Sequence, residues 1–424
     1  MIRNIIFDIG RVLFDFEWDE YIHRLFDDET AGKVTAALWG TGYWKELDRG
    51  VLSDEEILEL FYSEGPDVRD EIYQAFTHVD ECIVRRDWVV PMVDSLKAQG
   101  YRVYFLSNLS HHIISKGQHA MDFLDHMDGG VFSCDVQVIK PSAAIFDKLI
   151  AKYDLIPEEC IFIDDHQDNI SMARKFGIKG IRFDSYEQFA ADLDKALTKD
   201  RGHDKISVLC YGDSNTYGYD PATWGRYPYD KRWTTILAGM LGDRYEVIPE
   251  GLNGRTTAYD RPGAGWKNGV SSFISCLGSH KPVDILVIML GTNDCNASLD
   301  LSPEDITKGM KNLVELAENE APGLQGYIPE IIIAAPAPIR PDYEDSPFGH
   351  ELTPDAVQKS AAIGSLYRLL AEEKMVKFAD GQGEEVSDDC MHLTEAGHER
   401  MAELIYSAIT SDPYGYEIEE PLHP

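Results

Sequence analysis

The sequence predicts two α/β domains built on parallel sheets, and three observations carry that prediction. Apolar, strand-sized runs alternate with amphipathic helical stretches in both halves of the chain. Two of those strands run straight into tight polar turns, "NIIFDIG" at Asp8 and "LCYGDSNTYG" at Ser214. A length of 424 residues, 44% of them apolar, exceeds what one hydrophobic core usually serves.

In the first half the elements run as a strand at 4–8, a long helical stretch from about 17 to 90, and strands at 102–106 and 160–164. Helical pattern lies between them, as in "PMVDSLKAQG", which ends in a glycine at the expected C-terminal position. The polar, charged stretch "ALTKDRGHDK" (196–205) contains Gly202 and reads as a linker, so the expected domains are 1–200 and 205–424. Beyond it, strands at 206–210, 244–248, 284–290 and 330–335 alternate with helical stretches such as "DITKGMKNLVELAENEA". Parallel sheets place their ligand sites at the carboxyl ends of the strands, where both polar turns lie.

Lys and Arg number 39 against 74 Asp and Glu, a formal charge of −35 that repels nucleic acid and anionic membrane surfaces. No nucleic-acid or membrane partner is expected. There is no run of eighteen apolar residues and no cationic, apolar, small-residue leader pattern, so the expected location is cytoplasmic. The seven cysteines are scattered and lack close metal-type pairs, which reads as reduced thiols and argues against zinc.

A serine hydroxyl attacks poorly until a base removes its proton, so Ser214 requires a histidine held in one tautomer. "SDDCMHLTEAGH" offers Asp389 and His392, with Asp388 as a rival carboxylate. Acyl transfer also needs donors for the oxyanion: the N–H of Ser214, the N–H of Gly254 in "GLNGRTT", and the amide of Asn293 in "GTND". These four blocks, in this order, resemble the SGNH hydrolases, also called GDSL-type esterases, over residues 205 to about 411. "KRWTTILAGML", "EVIPEGLNGRTT" and "DILVIMLGTND" look most like the short-chain arylesterase and acyltransferase branch. The resemblance implies a serine esterase acting through an acyl-enzyme on a small ester, such as an acetylated sugar, without a cofactor. Asp213 reads as a turn cap, Asp294 and Asp388 as local hydrogen-bond partners, and His398 as a helix-surface residue. Trp224 and Trp266 lie in loops that suit either a pocket wall or packing.

In the first half, Asp8, Ser107 with Asn108 in "RVYFLSN", Lys140 in "QVIKPSAAIF", and Asp164 with Asp165 in "CIFIDD" form a coherent phosphoryl-transfer set. They supply a carboxylate nucleophile, donors for phosphoryl oxygens, a balancing lysine and acidic residues to hold magnesium. The set resembles the haloacid dehalogenase superfamily over residues 1 to about 197. That resemblance implies a magnesium site at Asp8, the Gly10 carbonyl, Asp164 and Asp165, and a phosphorylated metabolite as substrate. It also makes about residues 15–90 an inserted helical cap that closes over the substrate. The chain departs from the pattern at Gly10, where family phosphatases usually carry an aspartate as general acid and base. A domain retained for binding, for forming a homo-oligomer or for positioning the esterase is the alternative. The expected architecture is thus two Rossmann-like, three-layer α/β/α domains, the first with a helical cap.

Overall fold

A computed structural model describes residues 2–197 and 205–411. It divides into two compact units, one reaching Tyr186 and the other beginning at Glu187. Most of the expected linker, residues 198–204, lies outside the described residues. The division falls at the start of the helix Tyr186–Leu197, whose Lys195 Nζ donates to the Gly323 carbonyl at 3.3 Å.

The first unit is built on five parallel strands: β1 (Asn4–Phe7), β2 (Arg102–Ser107), β3 (Gly129–Phe132), β4 (Cys160–Asp164) and β5 (Lys179–Arg182). Their spatial order is β3-β2-β1-β4-β5. Ile5, Ile6 and Phe7 are fully buried, as are Ile161, Phe162 and Ile163. A strand covered by helices on both faces needs such a continuous apolar run. β1 sits at the centre, so the chain reverses its direction of travel across the sheet beside it. Asp8, Ser107 and Asp164 all leave the sheet at that crevice, the expected ligand position.

The stretch expected as one helical run from 17 to 90 resolves into five short helices: α1 (Trp18–Leu25), α2 (Asp28–Trp39), α3 (Tyr43–Arg49), α4 (Asp54–Glu64) and α5 (Arg69–Thr77). The breaks have local causes. Asp27 caps α2 through the Thr30 N–H, Ser53 and Glu56 form a capping box on α4, and Gly50 ends α3 in the left-handed region at φ 72°. An antiparallel pair, Phe14–Phe16 with Ile83–Arg85, brings the entry and exit of this insertion side by side. Inside it, the Trp39 and Trp44 rings approach to 3.9 Å between centroids, and Trp44 stacks on Phe61 at 6.1 Å.

The second unit holds β6 (Ile206–Gly212), β7 (Tyr245–Gly251), β8 (Ile285–Met289), β9 (Glu330–Ala335) and β10 (Lys377–Asp380), all parallel, in the order β7-β6-β8-β9-β10. Val208, Cys210, Val287 and Ile332 pack with Trp233, Leu237, Met401 and Ile405 from flanking helices into one core. Among the described residues no helix is long and apolar enough to cross a membrane.

Candidate active sites

In the first unit, three donors converge on one oxygen of Asp8. The Ile9 N–H, the Ser107 hydroxyl and Lys140 Nζ reach Oδ1 at 2.7, 2.6 and 2.9 Å. Oδ2 has no donor among the described residues and is the oxygen left for chemistry. Lys140 Nζ also donates to Asp164 Oδ2 at 2.6 Å. Burial works against the buried ammonium, yet the charges of Asp164 and Asp8 outweigh it and raise its pKa.

Asn108 lines the cavity and is also tied to Lys140. Its amide accepts the Lys140 N–H at 2.8 Å and donates to the Lys140 carbonyl at 3.1 Å, so it fixes the lysine's backbone. Asp164 is held by several donors: Oδ1 accepts the His166 N–H and Asn169 Nδ2, and Oδ2 accepts Lys140 and Asn169 Nδ2. Asp165 is only partly buried; burial, with the Asp8 charge adding, raises its pKa.

Carboxylate oxygens of Asp8, Asp164 and Asp165 lie within 4.8 Å of one another. An all-oxygen, carboxylate-rich set of this kind fits magnesium rather than a thiophilic metal. A cavity of about 300 Å³ opens beside them, lined by Asp8, Gly10, Lys140 and Asp165 from the core and by Trp39, Trp44 and Asp48 from the cap. Arg11 lines it too, adding a cation that the sequence reading passed over. Among the described residues, a Cβ built on Gly10 meets nothing within 4 Å, so space for a side chain exists there.

In the second unit, β6 ends at Gly212, and Asp213 turns the chain into the short helix Ser214–Tyr217 by accepting the Asn215 N–H at 2.9 Å. This lifts the Ser214 hydroxyl to the strand end. His392 Nε2 lies 2.8 Å from Ser214 Oγ, and its Nδ1 lies 2.5 Å from Asp389 Oδ2. Asp389 Oδ1 takes the Ser387 hydroxyl at 2.8 Å and the His392 N–H at 3.0 Å. Burial would raise the Asp389 pKa, but hydrogen bonding and the His392 charge overcome it and lower it. Asp388 is exposed and leaves the imidazole to Asp389. An imidazole so held has its free nitrogen ready for a hydroxyl proton.

Among the described residues, the N–H groups of Ser214 and Gly254 have no acceptor. Gly254 adopts φ 81°, which frees its amide from the local turn at no side-chain cost. The Asn293 amide is engaged, donating to the Arg255 carbonyl at 3.1 Å and approaching Asp213 Oδ2 at 3.3 Å.

Several residues escaped the sequence reading. Asn215 accepts the Leu393 N–H at 2.9 Å and donates to the Met391 carbonyl at 3.2 Å, bracketing His392. Tyr219 and Phe348 flank the imidazole, with ring centroids 4.5 and 5.8 Å away. Trp224 approaches Phe348 at 6.2 Å and is 66% exposed, while Trp266 is 64% exposed. Neither is core. The expectation for His398 was wrong: it is fully buried, takes the Trp233 N–H at 3.3 Å, and burial lowers its pKa to about 4. Its neighbours "EAGHER" are polar, which hid the inward-facing position.

Two family models match the chain, a GDSL-like Lipase/Acylhydrolase family over residues 210–400 and a haloacid dehalogenase-like hydrolase over residues 2–177. The protein is a haloacid dehalogenase-like hydrolase joined to a GDSL-like acylhydrolase. The hydrolase domain is similar to D-ribitol-5-phosphate phosphatase of Bacteroides thetaiotaomicron, 29% identical over 196 residues, 42% of this chain and 90% of that protein. An acetylxylan esterase of Xylanibacter ruminicola is 27% identical over 256 residues, covering 54% of this chain and 49% of that protein. Among solved structures, a carbohydrate acetylesterase from Sinorhizobium meliloti shares 35% identity over 48% of this chain and 97% of its own, with a TM-score of 0.45. The GDSL-like domain carries Ser214 on the turn after β6, and the dehalogenase-like domain carries Asp8 on the turn after β1.

Proposed function

We propose that the acylhydrolase domain is a serine esterase for short, acetyl-type esters, with acetylated carbohydrates as substrates. The observation that carries this reading is the continuous path Asp389–His392–Ser214, at 2.5 and 2.8 Å, together with the Ser214 and Gly254 N–H groups that have no acceptor among the described residues. Ser214 Oγ attacks the carbonyl as its proton passes to His392 Nε2, and Asp389 balances the imidazolium. The oxyanion falls to the Ser214 and Gly254 N–H groups, with Asn293 joining once its amide leaves Asp213. His392 then protonates the departing alcohol, and water resolves the acyl-enzyme. The likeness to an acetylxylan esterase supports a sugar as the alcohol. Hydrolysis of p-nitrophenyl acetate, butyrate and octanoate tests this. Rates falling with chain length and vanishing in Ser214→Ala are expected; cleavage indifferent to the substitution refutes it.

The cavity around Asp8 favours a second activity, a magnesium-dependent phosphatase. Asp8, Asp164, Asp165 and the Gly10 carbonyl would hold the metal, and Asp164 would also anchor Lys140. Bound magnesium supplies charge neutralisation at the phosphoryl oxygens. Phosphate release from a panel of sugar phosphates, dependent on magnesium and lost in Asp8→Asn, is the expected result; none across the panel rejects it. The seven free thiols support a reducing, cytoplasmic setting.

A further inference from the structure

The phosphatase reading leaves one role vacant, because Gly10 has no side chain to protonate a leaving alkoxide. Asp48 lies at the end of α3 and lines the same cavity as Asp8 and Gly10. Its Oδ1 is shielded from solvent and has no hydrogen-bond partner among the described residues. A buried carboxyl oxygen left bare is costly and calls for a ligand that arrives later.

The end of α3 is also fixed in place. The Ser133 hydroxyl donates to the Asp48 carbonyl at 2.5 Å. A Cβ on Gly50 would meet the Cys134 carbonyl at 2.7 Å, so cap and core touch closely at this point. Glu46 and Arg49 pair within the same helix at 3.2 Å, both buried. Asp48 is thus held over the cavity by backbone contacts to the core.

We propose that Asp48, reaching the cavity from the cap, is the general acid and base of the phosphatase site, in the role that Gly10 cannot fill. The proposal rests on the phosphatase reading. Asp8 Oδ2 attacks phosphorus, and the P–O ester bond breaks with its electron pair on the alcohol oxygen, which takes the Asp48 proton. Water then gives a proton to the Asp48 carboxylate as it attacks the phosphorus of the aspartyl phosphate. That step returns inorganic phosphate, the Asp8 carboxylate and a protonated Asp48. Burial raises the Asp48 pKa well above the ordinary carboxyl range; the Ser110 N–H and Lys140 oppose this and the Asp8 charge adds to it. Asp165, His166 and Arg11 face the same cavity.

The test compares a poor with a good leaving group on the full chain with magnesium. Asp48→Asn is expected to lower kcat/KM for glycerol 2-phosphate by about 10² to 10⁴-fold. The loss on p-nitrophenyl phosphate, whose leaving group needs no proton, stays under about tenfold. That retained cleavage also reports that the domain has folded. Asp48→Glu is expected to recover part of the glycerol 2-phosphate rate. Equal losses on both substrates, or none on either, overturn the assignment. A second readout needs no turnover: the infrared C=O stretch of a protonated carboxyl, seen in the metal-free wild type at neutral pH, should weaken in Asp48→Asn, and an unchanged band counts against it. If the wild type releases no phosphate from either compound while Ser214-dependent ester cleavage persists, the phosphatase reading falls and this role falls with it.

Discussion

Three aspartates stand next to the esterase machinery, and burial treats them differently. Asp389 faces an imidazole and is held below the ordinary carboxyl range. Asp213 and Asp294 are pushed up by burial, to about 6 and about 7. Asp294 is tied to Thr257 through its N–H at 3.0 Å and its hydroxyl at 2.6 Å, which links the loop after β7 to the end of β8. A carboxyl whose pKa rises on folding holds its proton more tightly in the native state. Its contribution therefore favours folding near its unfolded value of 3.8 and declines as pH climbs toward 7. Asp294→Asn should accordingly gain in Tm relative to the wild type between pH 5 and pH 8; a difference that is constant in scanning calorimetry contradicts this. Asp389→Asn should lower kcat for p-nitrophenyl acetate by about 10³ to 10⁴-fold, because it removes the acceptor that fixes the imidazole tautomer. Asn215→Ala should cost about 10 to 10²-fold in kcat with KM little changed, since it loosens the loop on both sides of His392 without touching substrate. A change confined to KM would place Asn215 in binding instead. Ser214 and His392 were legible because nucleophile and base have few chemical alternatives. Asn215 was not, since a lone asparagine in a turn has many ordinary uses.

At the scale of elements, the loops after the central strands do most of the positioning. Gly254 sits at φ 81°, and its added Cβ would meet chiefly the tip of Lys267, so backbone strain rather than collision governs its replacement. Gly254→Ala should cost about 1–2 kcal/mol and lower kcat on the order of 10²-fold as the N–H turns away. Unfolding and kinetics on one preparation separate the two effects. In the cap, Ser53→Ala removes one half of the α4 capping box and should lower stability by about 1 kcal/mol, read as a lower melting temperature at unchanged esterase rate. The central strands were readable because their apolar runs are long and end in polar turns. β3, β5 and β10 were missed: each has four residues, and glycine or lysine interrupts them. Asp48 stayed hidden for a related reason, since forty residues separate it from Asp8 and only the cap's fold brings them to one cavity.

Across the whole molecule, two candidate hydrolytic sites share one strongly acidic chain, with a formal charge of −35. A phosphate approaching such a surface is repelled at long range, so the local cations Lys140 and Arg11 matter more than their number suggests. The two proposed chemistries use separate side chains, and the metal is proposed at Asp8, Asp164 and Asp165. Chelation with EDTA should therefore abolish phosphate release and spare ester cleavage, while Ser214→Ala should do the reverse; loss of both under chelation breaks this separation. The tie between Asn215 and Leu393 spans 178 positions of sequence, as does the contact between Ser214 and His392. During synthesis, then, the serine leaves the ribosome long before its base does. A truncated product ending anywhere before Asp389 carries the nucleophile in unactivated form, and a working esterase exists only after the loop bearing Asp389 and His392 has been made.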